Sequence, residues 1–145
     1  MITDIDFFNV LSDETRRRML SLLLTEDELS VCELCHAVDC AQPKVSRHLA
    51  KMRQSKLLAV RRDGVWMYYR INPQLPAWAF KIVQLMAQAG ESTQLLVRDR
   101  NRLLSMPDRP VRETRPTAPT TVTPMQPRVA GNTATVFDAG VRLVR

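Results

Sequence analysis

Three cysteines stand close together in the first third of the chain, in an arrangement that could bind a metal or react with an oxidant. Cys32, Cys35 and Cys40 are the only cysteines of the sequence. In a chain without a visible secretion signal, clustered cysteines more often bind metals or undergo redox chemistry than form structural disulfides. On a helix, Cys32 and Cys35 share one face. Cys40 follows past the predicted helix end, where the chain can fold back.

Three thiolates from one short segment suit a single soft ion. Trivalent arsenic and antimony each bind three sulfurs in a pyramid, so the cysteine count predicts As(III) or Sb(III) as the ligand and no organic cofactor. A zinc site would need a fourth ligand, and the two histidines, His36 and His48, are poorly placed to supply it. A cadmium or lead ion, or a disulfide that joins Cys32 to Cys35 or Cys40, remains an alternative. No βαβ context surrounds the CxxC spacing, so an enzyme is not predicted.

The segment that follows the cysteines has the pattern of a DNA-reading helix over 42–54. Pro43 suits the first turn of a helix, and Val45, Leu49 and Met52 form one apolar stripe. The opposite side carries cations and short hydrogen-bonding groups. We predict DNA contacts from this side, by Gln42, Lys44, Ser46, Arg47, His48 and Lys51. A short helix at 30–38, a tight turn and this helix together form a helix-turn-helix pattern.

A β-hairpin is predicted directly after that helix, over Leu58 to Ile71. Asp63-Gly64 at its centre is a two-residue turn signal. Arg61 and Arg62 flank the turn and are predicted to hold DNA phosphates. A helix-turn-helix followed by a basic hairpin is a winged helix, so we predict a mainly α fold with a two-stranded β-wing.

Charge is distributed unevenly along the chain, and this distribution is typical of a protein that binds double-stranded DNA. Residues 40–72 carry eight basic side chains against one acidic, whereas residues 1–39 carry three basic against nine acidic. The overall charge of +6 conceals this segregation. A basic block confined to one supersecondary unit is typical of double-stranded DNA binding.

With these motifs in order, the chain resembles the ArsR/SmtB family of metal-responsive winged-helix repressors. The resemblance rests on LSDETRRRML at 11–20, VCELC at 31–35, QPKVSRHLAKMR at 42–53, LLAVRRDGVWMYYRI at 57–71 and PAWAFKIV at 76–83. It covers about residues 1–90 and is strongest for the branch that senses arsenite and antimonite. It implies a homodimer that represses a metal- or metalloid-resistance operon and leaves the DNA when the inducer binds. A thiol-based redox regulator and a cadmium- or lead-type sensor of the same fold are the alternatives.

The arsenite-sensing branch usually carries a Cys-x-Cys-x-x-Cys run in the helix before the reader. Cys32 and Cys35 match the last two positions of that run, and Ser30 stands at the first. Cys40 has no counterpart in the run. Either Cys40 supplies the third sulfur, or Cys32 and Cys35 bind the ion as a pair. We favour the first interpretation, because Cys40 lies within reach.

The remaining elements are predicted to support one domain over residues 1–105. Short helices are predicted at 4–11 and 13–25, and a long helix at 77–104 with Gly90 as a candidate break. Apolar side chains on the first and last helices predict a dimer interface made by Phe8, Trp78, Ile82, Leu85, Met86 and Ala89. Residues 106–145 contain most of the prolines and are predicted to be a disordered tail. No membrane span or signal peptide is visible, which predicts a cytoplasmic protein.

Overall fold

The structure is a computed structural model that describes residues 1–91 and 93–110. Its elements, in chain order, are α1 (Asp4–Leu11), α2 (Glu14–Glu26), β1 (Leu29–Ser30), α3 (Val31–Val38), α4 (Gln42–Gln54), β2 (Leu58–Asp63), β3 (Trp66–Ile71), α5 (Ala77–Gly90) and α6 (Gln94–Leu104). The predicted fold class, mainly α with a β-wing, is confirmed. Residues Met1–Pro110 form one compact unit. The predicted tail lies outside the described residues from 111 onward.

Side-chain caps fix where several helices begin. Thr3, Asp13 and Thr93 each accept a hydrogen bond from a backbone N–H in the first turn of α1, α2 and α6. Ser30 and Glu33 form a reciprocal capping box at the start of α3. Such caps satisfy amide groups that have no partner within the helix. The start of the cysteine-bearing helix is therefore fixed by its own sequence.

The core is formed by buried apolar side chains from all six helices and from the inner ends of the wing strands. The predicted apolar stripe of α4 is confirmed, because Val45, Leu49 and Met52 are all fully buried. They pack with buried apolar side chains from α2 and α3, including Leu23 and Leu34. Burial of this stripe fixes which side of α4 is left toward solvent.

The wing is part of a three-stranded antiparallel sheet with the strand order β1-β3-β2. The short strand β1 was not predicted, and it pairs Leu29 with Tyr69. The hairpin loop is Gly64-Val65 rather than the predicted Asp63-Gly64, because Asp63 pairs with Trp66 in the ladder. Gly64 has φ +58°, which glycine adopts without strain at the first position of a tight hairpin loop.

The predicted long helix 77–104 is divided into α5 and α6. The chain turns after Gly90, and a Cβ at this position would lie 2.7 Å from Cδ1 of Leu96. Glycine therefore allows α6 to fold back closely onto the end of α5. Thr93 then caps α6 and donates its hydroxyl to the carbonyl of Gly90 at 2.8 Å. Within the described residues, no helix combines the length and apolar character needed to cross a membrane.

Candidate sensor site and nucleic-acid interface

The three cysteines line one open groove beside the C-terminal end of α3. Cys32 is exposed, Cys35 and Cys40 are half-buried, and all three are free thiols. The described residues contain no group of three or more histidine, cysteine or acidic side chains already positioned to hold a metal ion. The thiols therefore share a surface but must converge before they could bind one ion together.

The end of α3 brings Cys40 back toward Cys35. The backbone N–H groups of Asp39 and Cys40 both donate to the carbonyl of Cys35, the second at 3.2 Å. Asp39 has φ 52°, in the left-handed region that ends many helices. The left-handed residue and the bond from Cys40 to Cys35 are those of a Schellman ending, in which the side chains at these two positions commonly approach each other. The helix ending thus explains how a cysteine five residues further along can share the groove.

The environment of Cys35 favours the protonated thiol. Burial raises the pKa of Cys35, and negative charge on the neighbouring thiolates of Cys32 and Cys40 would raise it further. A soft ion shared between them would remove this repulsion by neutralising the thiolates.

Ser30, which stands where the usual cysteine run has its first cysteine, does not line the groove and caps α3 instead. Its Oγ accepts the backbone N–H of Glu33 at 3.3 Å, and its own N–H donates to Oε2 of Glu33 at 2.7 Å. Ser30 is buried. Its oxygen therefore serves the start of the helix, one full turn before Cys35.

The groove also includes residues distant in the chain that the sequence did not predict as part of the site. Arg102 and Met106, both from the C-terminal end of α6 or just after it, line the groove with the cysteines. The guanidinium of Arg102 donates to the carbonyl of Ala37 at 2.8 Å and to the buried carboxylate of Asp99 at 2.8 Å. The sequence offered one signal for Arg102. Residues 98–102 contain a single acid, Asp99, and an acid at helical spacing from an arginine can pair with it.

The solvent side of α4 carries most of the predicted DNA-contacting side chains. Gln42, Lys44, Ser46, Arg47 and Lys51 are all exposed. Gln42 also lines the cysteine groove, so the first turn of α4 adjoins the sensor site. Only three residues separate the end of α3 from the start of α4.

His48 departs from the expectation that it projects outward beside Arg47. Its side chain is only 13% exposed and is turned toward α2, with Nε2 3.9 Å from Oδ1 of Asp13. Nδ1 lies 3.4 Å from Nη1 of Arg16. Burial lowers the pKa of His48, and the cations Arg16, Lys44 and Arg47 lower it further, against the attraction of Asp13. The outward placement expected from the helix pattern was wrong: the ring lies against Asp13 and Arg16, and Nε2 has no hydrogen-bond partner among the described residues.

The two wing arginines are placed differently from each other. Arg61 donates to both carboxylate oxygens of Glu28, at 2.8 and 3.0 Å, and its guanidinium lies 4.9 Å from the ring centre of Tyr68. Its charge is therefore already paired on the protein. Arg62 is exposed and donates to the carbonyl of Gly64 at 3.2 Å, so it keeps its charge at the wing tip. In this structure Arg61 would have to leave Glu28 to meet a phosphate, whereas Arg62 would not; the predicted phosphate contacts of both stay predictions.

An apolar surface runs across α1 and α5. Phe8, Trp78 and Leu85 are exposed large apolar side chains, Ala89 is exposed, and Ile82 and Met86 are half-buried against the core. The rings of Phe7 and Trp78 pack edge to face at 5.1 Å, which joins the two helices. The predicted dimer residues thus lie on two helices that are in direct contact.

Comparison with known proteins agrees with this arrangement. The sequence pattern described as "Bacterial regulatory protein, arsR family" matches residues 13–59. The chain is 48% identical over 113 residues to the arsenic resistance transcriptional regulator ArsR2 of Pseudomonas putida, a match that covers 78% of this chain and 96% of that protein. It is 46% identical over 99 residues to the arsenical resistance operon repressor of Escherichia coli, covering 68% of this chain and 85% of that protein.

Among solved structures, the antimony-specific transcriptional repressor AntR is similar in fold. The two chains superpose with a TM-score of 0.52 at 27% sequence identity, over 63% of this chain and 85% of that one. This likeness extends from the sequence to the three-dimensional arrangement of helices and wing.

Proposed function

This chain belongs to the arsR family of bacterial regulatory proteins, and from that premise we propose that it represses transcription of an arsenic-resistance operon. The family consists of DNA-binding regulators rather than enzymes, and three relatives at 44–48% identity are named as arsenic-resistance regulators or repressors. The observation that carries the proposal is the position of the cysteine groove. It lies at the end of α3, and Gln42 of the reading helix forms part of its lining.

The repressor would bind double-stranded operator DNA through the exposed side of α4. Lys44, Ser46, Arg47 and Lys51 would enter a major groove, where cations hold phosphates and short polar groups reach base edges. Arg62 would hold a phosphate from the wing. Arg61 would hold a second phosphate only after breaking its ion pair with Glu28. Its net contribution to DNA affinity would therefore be smaller than that of Arg62.

The DNA-binding unit would be a homodimer. The apolar surface across α1 and α5 is of the kind that marks an interface in soluble proteins. A second copy related by a two-fold axis would place the same surface on both sides of the contact. It would present two α4 helices to successive major grooves, about one helical turn apart.

Metalloid binding would then release the DNA. As(III) or Sb(III) would draw the thiolates of Cys32, Cys35 and Cys40 together and form three bonds to sulfur. The three side chains fit this ion in number and softness, and they already line one groove. Because the sulfurs do not yet form a cluster, binding would distort the end of α3 and shift the first turn of α4. A coupling energy of about 2–3 kcal/mol is typical of such switches and would be enough to derepress an operon.

The experiment is a DNA-release titration with a panel of ions in excess reductant. Fluorescence anisotropy of labelled operator DNA would be followed as arsenite, antimonite, cadmium, lead and zinc are added in separate series. We expect arsenite and antimonite to release the DNA at the lowest concentrations. Excess reductant keeps the thiols free, so release under these conditions excludes a disulfide switch. Release by cadmium alone would assign the site to a different ion and overturn the proposal.

A matched set of variants links release to the groove. Cys35→Ser should retain operator binding and lose the response to arsenite, because a serine oxygen is a poor ligand for a soft ion. Ser55→Cys serves as a control that adds a thiol outside the groove. A normal response in Cys35→Ser would separate arsenite sensing from these cysteines.

A further inference from the structure

A buried carboxylate on α6 organises two arginines beside the cysteine groove. Arg18, on α2, donates from Nε and Nη2 to the two oxygens of Asp99, each at 2.7 Å. Arg102 donates from Nη2 to Oδ1 of Asp99 at 2.8 Å. Asp99 is completely buried. A buried carboxylate is tolerated only when it is paired and hydrogen-bonded, so Asp99 and its two partners are held as one rigid group.

The same two arginines hold the last turn of α3. Arg18 donates to the carbonyl of Val38 at 3.0 Å, and Arg102 donates to the carbonyl of Ala37 at 2.8 Å. The last carbonyls of a helix have no partner within the helix and must find one elsewhere. Here they find it on two other helices, α2 and α6. The held carbonyls lie between Cys35 and Cys40 in the chain.

We propose that Asp99, Arg102 and Arg18 form a clamp that keeps the end of α3 in the shape where the three thiols remain apart. The clamp would thereby set the concentration of metalloid needed to release DNA. The inference rests on the proposed function, and it assigns the arginines and Asp99 as positioning residues. None of them is a ligand of the ion in this account.

The direction of the effect follows from the geometry. Convergence of the sulfurs requires the backbone from Cys35 to Cys40 to move, and this segment contains both clamped carbonyls. Each hydrogen bond that the clamp makes stabilises the undistorted shape. The ion can shift the equilibrium only by the difference in its affinity for the two shapes. A weaker clamp should therefore let the same ion release DNA at a lower concentration.

The position of Arg102 allows a second role, which would change the arsenite concentration needed for release in the opposite direction. Arg102 lines the groove together with the cysteines, and its positive charge could attract thiolates and strengthen binding of the ion. On that account, removal of the charge would raise the arsenite concentration needed for release. The two roles are separable, because lysine keeps the charge but lacks the planar fork that reaches Asp99 and Ala37 at once.

The experiment compares Arg102→Met, Arg102→Lys and the control Arg98→Met in the full chain. Arg98 is exposed on the same helix and provides a matched loss of one charge. Arg102 is a suitable target, because its side chain is 33% exposed and its loss leaves the Arg18–Asp99 pair in place. Anisotropy of labelled operator DNA gives operator affinity without arsenite, and then the arsenite concentration at half release.

Both Arg102 variants should lower the half-release concentration about tenfold, which corresponds to about 1.4 kcal/mol. Arg98→Met should leave it unchanged. Operator affinity without arsenite should stay within about threefold of wild type, because the undistorted shape remains the major one. A raised half-release concentration in Arg102→Met with a normal one in Arg102→Lys would overturn the clamp in favour of the charge. An unchanged value in both would also overturn it.

A second readout needs no metalloid and keeps the inference separate from the proposed function. The amides of Asp39 and Cys40 both donate to the carbonyl of Cys35. Hydrogen exchange at these two amides reports how often the end of α3 opens. We expect exchange about tenfold faster in both Arg102 variants, in step with the release titration. Unchanged exchange rates at these amides would overturn the clamp. This result would hold whether or not arsenite is the inducer.

Discussion

The backbone amide of Cys40 donates to the carbonyl of Cys35 at 3.2 Å, and this bond places the third cysteine against the helix that carries the other two. Asp39 makes the turn possible by adopting φ 52°. The helix ending thus brings Cys40 into the groove that Cys32 and Cys35 line. The proposed site would take its third sulfur from the end of the helix, at the point where the chain leaves for α4.

The contrast between two neighbours on α4 gives the first prediction. Arg47→Ala should abolish specific operator binding without loss of stability, because Arg47 is exposed. His48→Ala should instead lower the free energy of unfolding by about 1 kcal/mol, because it removes a half-buried side chain that packs against Asp13 and Arg16. Urea unfolding and operator anisotropy measure the two effects. Retained operator affinity in Arg47→Ala would contradict the assignment of the exposed side as the reading face.

The lowered pKa of His48 predicts how stability depends on pH. Burial disfavours the imidazolium in the folded protein, so the unfolded chain binds the proton more readily. The favourable contribution is complete above the ordinary histidine pKa of about 6.5 and is lost as the pH falls below it. Wild type should therefore lose stability between about pH 7 and pH 5 more steeply than His48→Gln, by urea unfolding. Identical slopes would mean that His48 does not titrate in its buried position.

We predict that the two arginines of the wing contribute unequally to the salt dependence of operator affinity. Arg62→Ala should flatten the log–log dependence of operator affinity on salt by about 0.9, the slope that one neutralised phosphate contributes. Arg61→Ala should flatten it less, because Glu28 already pairs the Arg61 charge. Glu28→Gln should steepen the dependence by weakening that pair. The measurement is operator affinity across a salt series, and equal effects of Arg61→Ala and Arg62→Ala would show that Glu28 does not compete with DNA.

The apolar surface across α1 and α5 predicts the oligomeric state. Leu85→Asp should convert a dimer into a monomer, because it places a charge in the centre of the proposed contact. Val65→Asp, at the exposed wing tip, should leave the dimer intact. Analytical ultracentrifugation distinguishes the two. A dimeric Leu85→Asp protein would move the interface to another surface.

The sequence was sufficient to predict the winged helix, because its strongest signals are local. The apolar stripe Val45, Leu49 and Met52 is set by helical periodicity, and Pro43 marks where that helix begins. The groove-lining cysteines could be grouped for the same reason, since they are neighbours in the chain. Local pattern also named Gly90 as a possible break in the last helix.

What sequence reasoning missed depends on partners that are distant in the chain. His48 turns inward toward Arg16, 32 residues earlier, and Arg61 pairs with Glu28, 33 residues earlier. The clamp joins Arg18 to Asp99 across 81 residues. The hairpin loop was placed one residue early, because Asp63 pairs in the strand with Trp66 rather than entering the turn. Periodicity gives the face of an element, and it does not give the neighbour that meets that face.

X-ray absorption at the arsenic edge tests the central claim most directly, because it counts the sulfur atoms around the bound ion. The claim is that Cys32, Cys35 and Cys40 of one protomer close around one As(III). We predict three sulfur neighbours and no oxygen in the wild-type complex, with one arsenic per protomer. Cys40→Ser should show two sulfurs and should require far more arsenite to release DNA. Two sulfurs in the wild-type complex, with an unchanged spectrum in Cys40→Ser, would contradict the three-thiolate site.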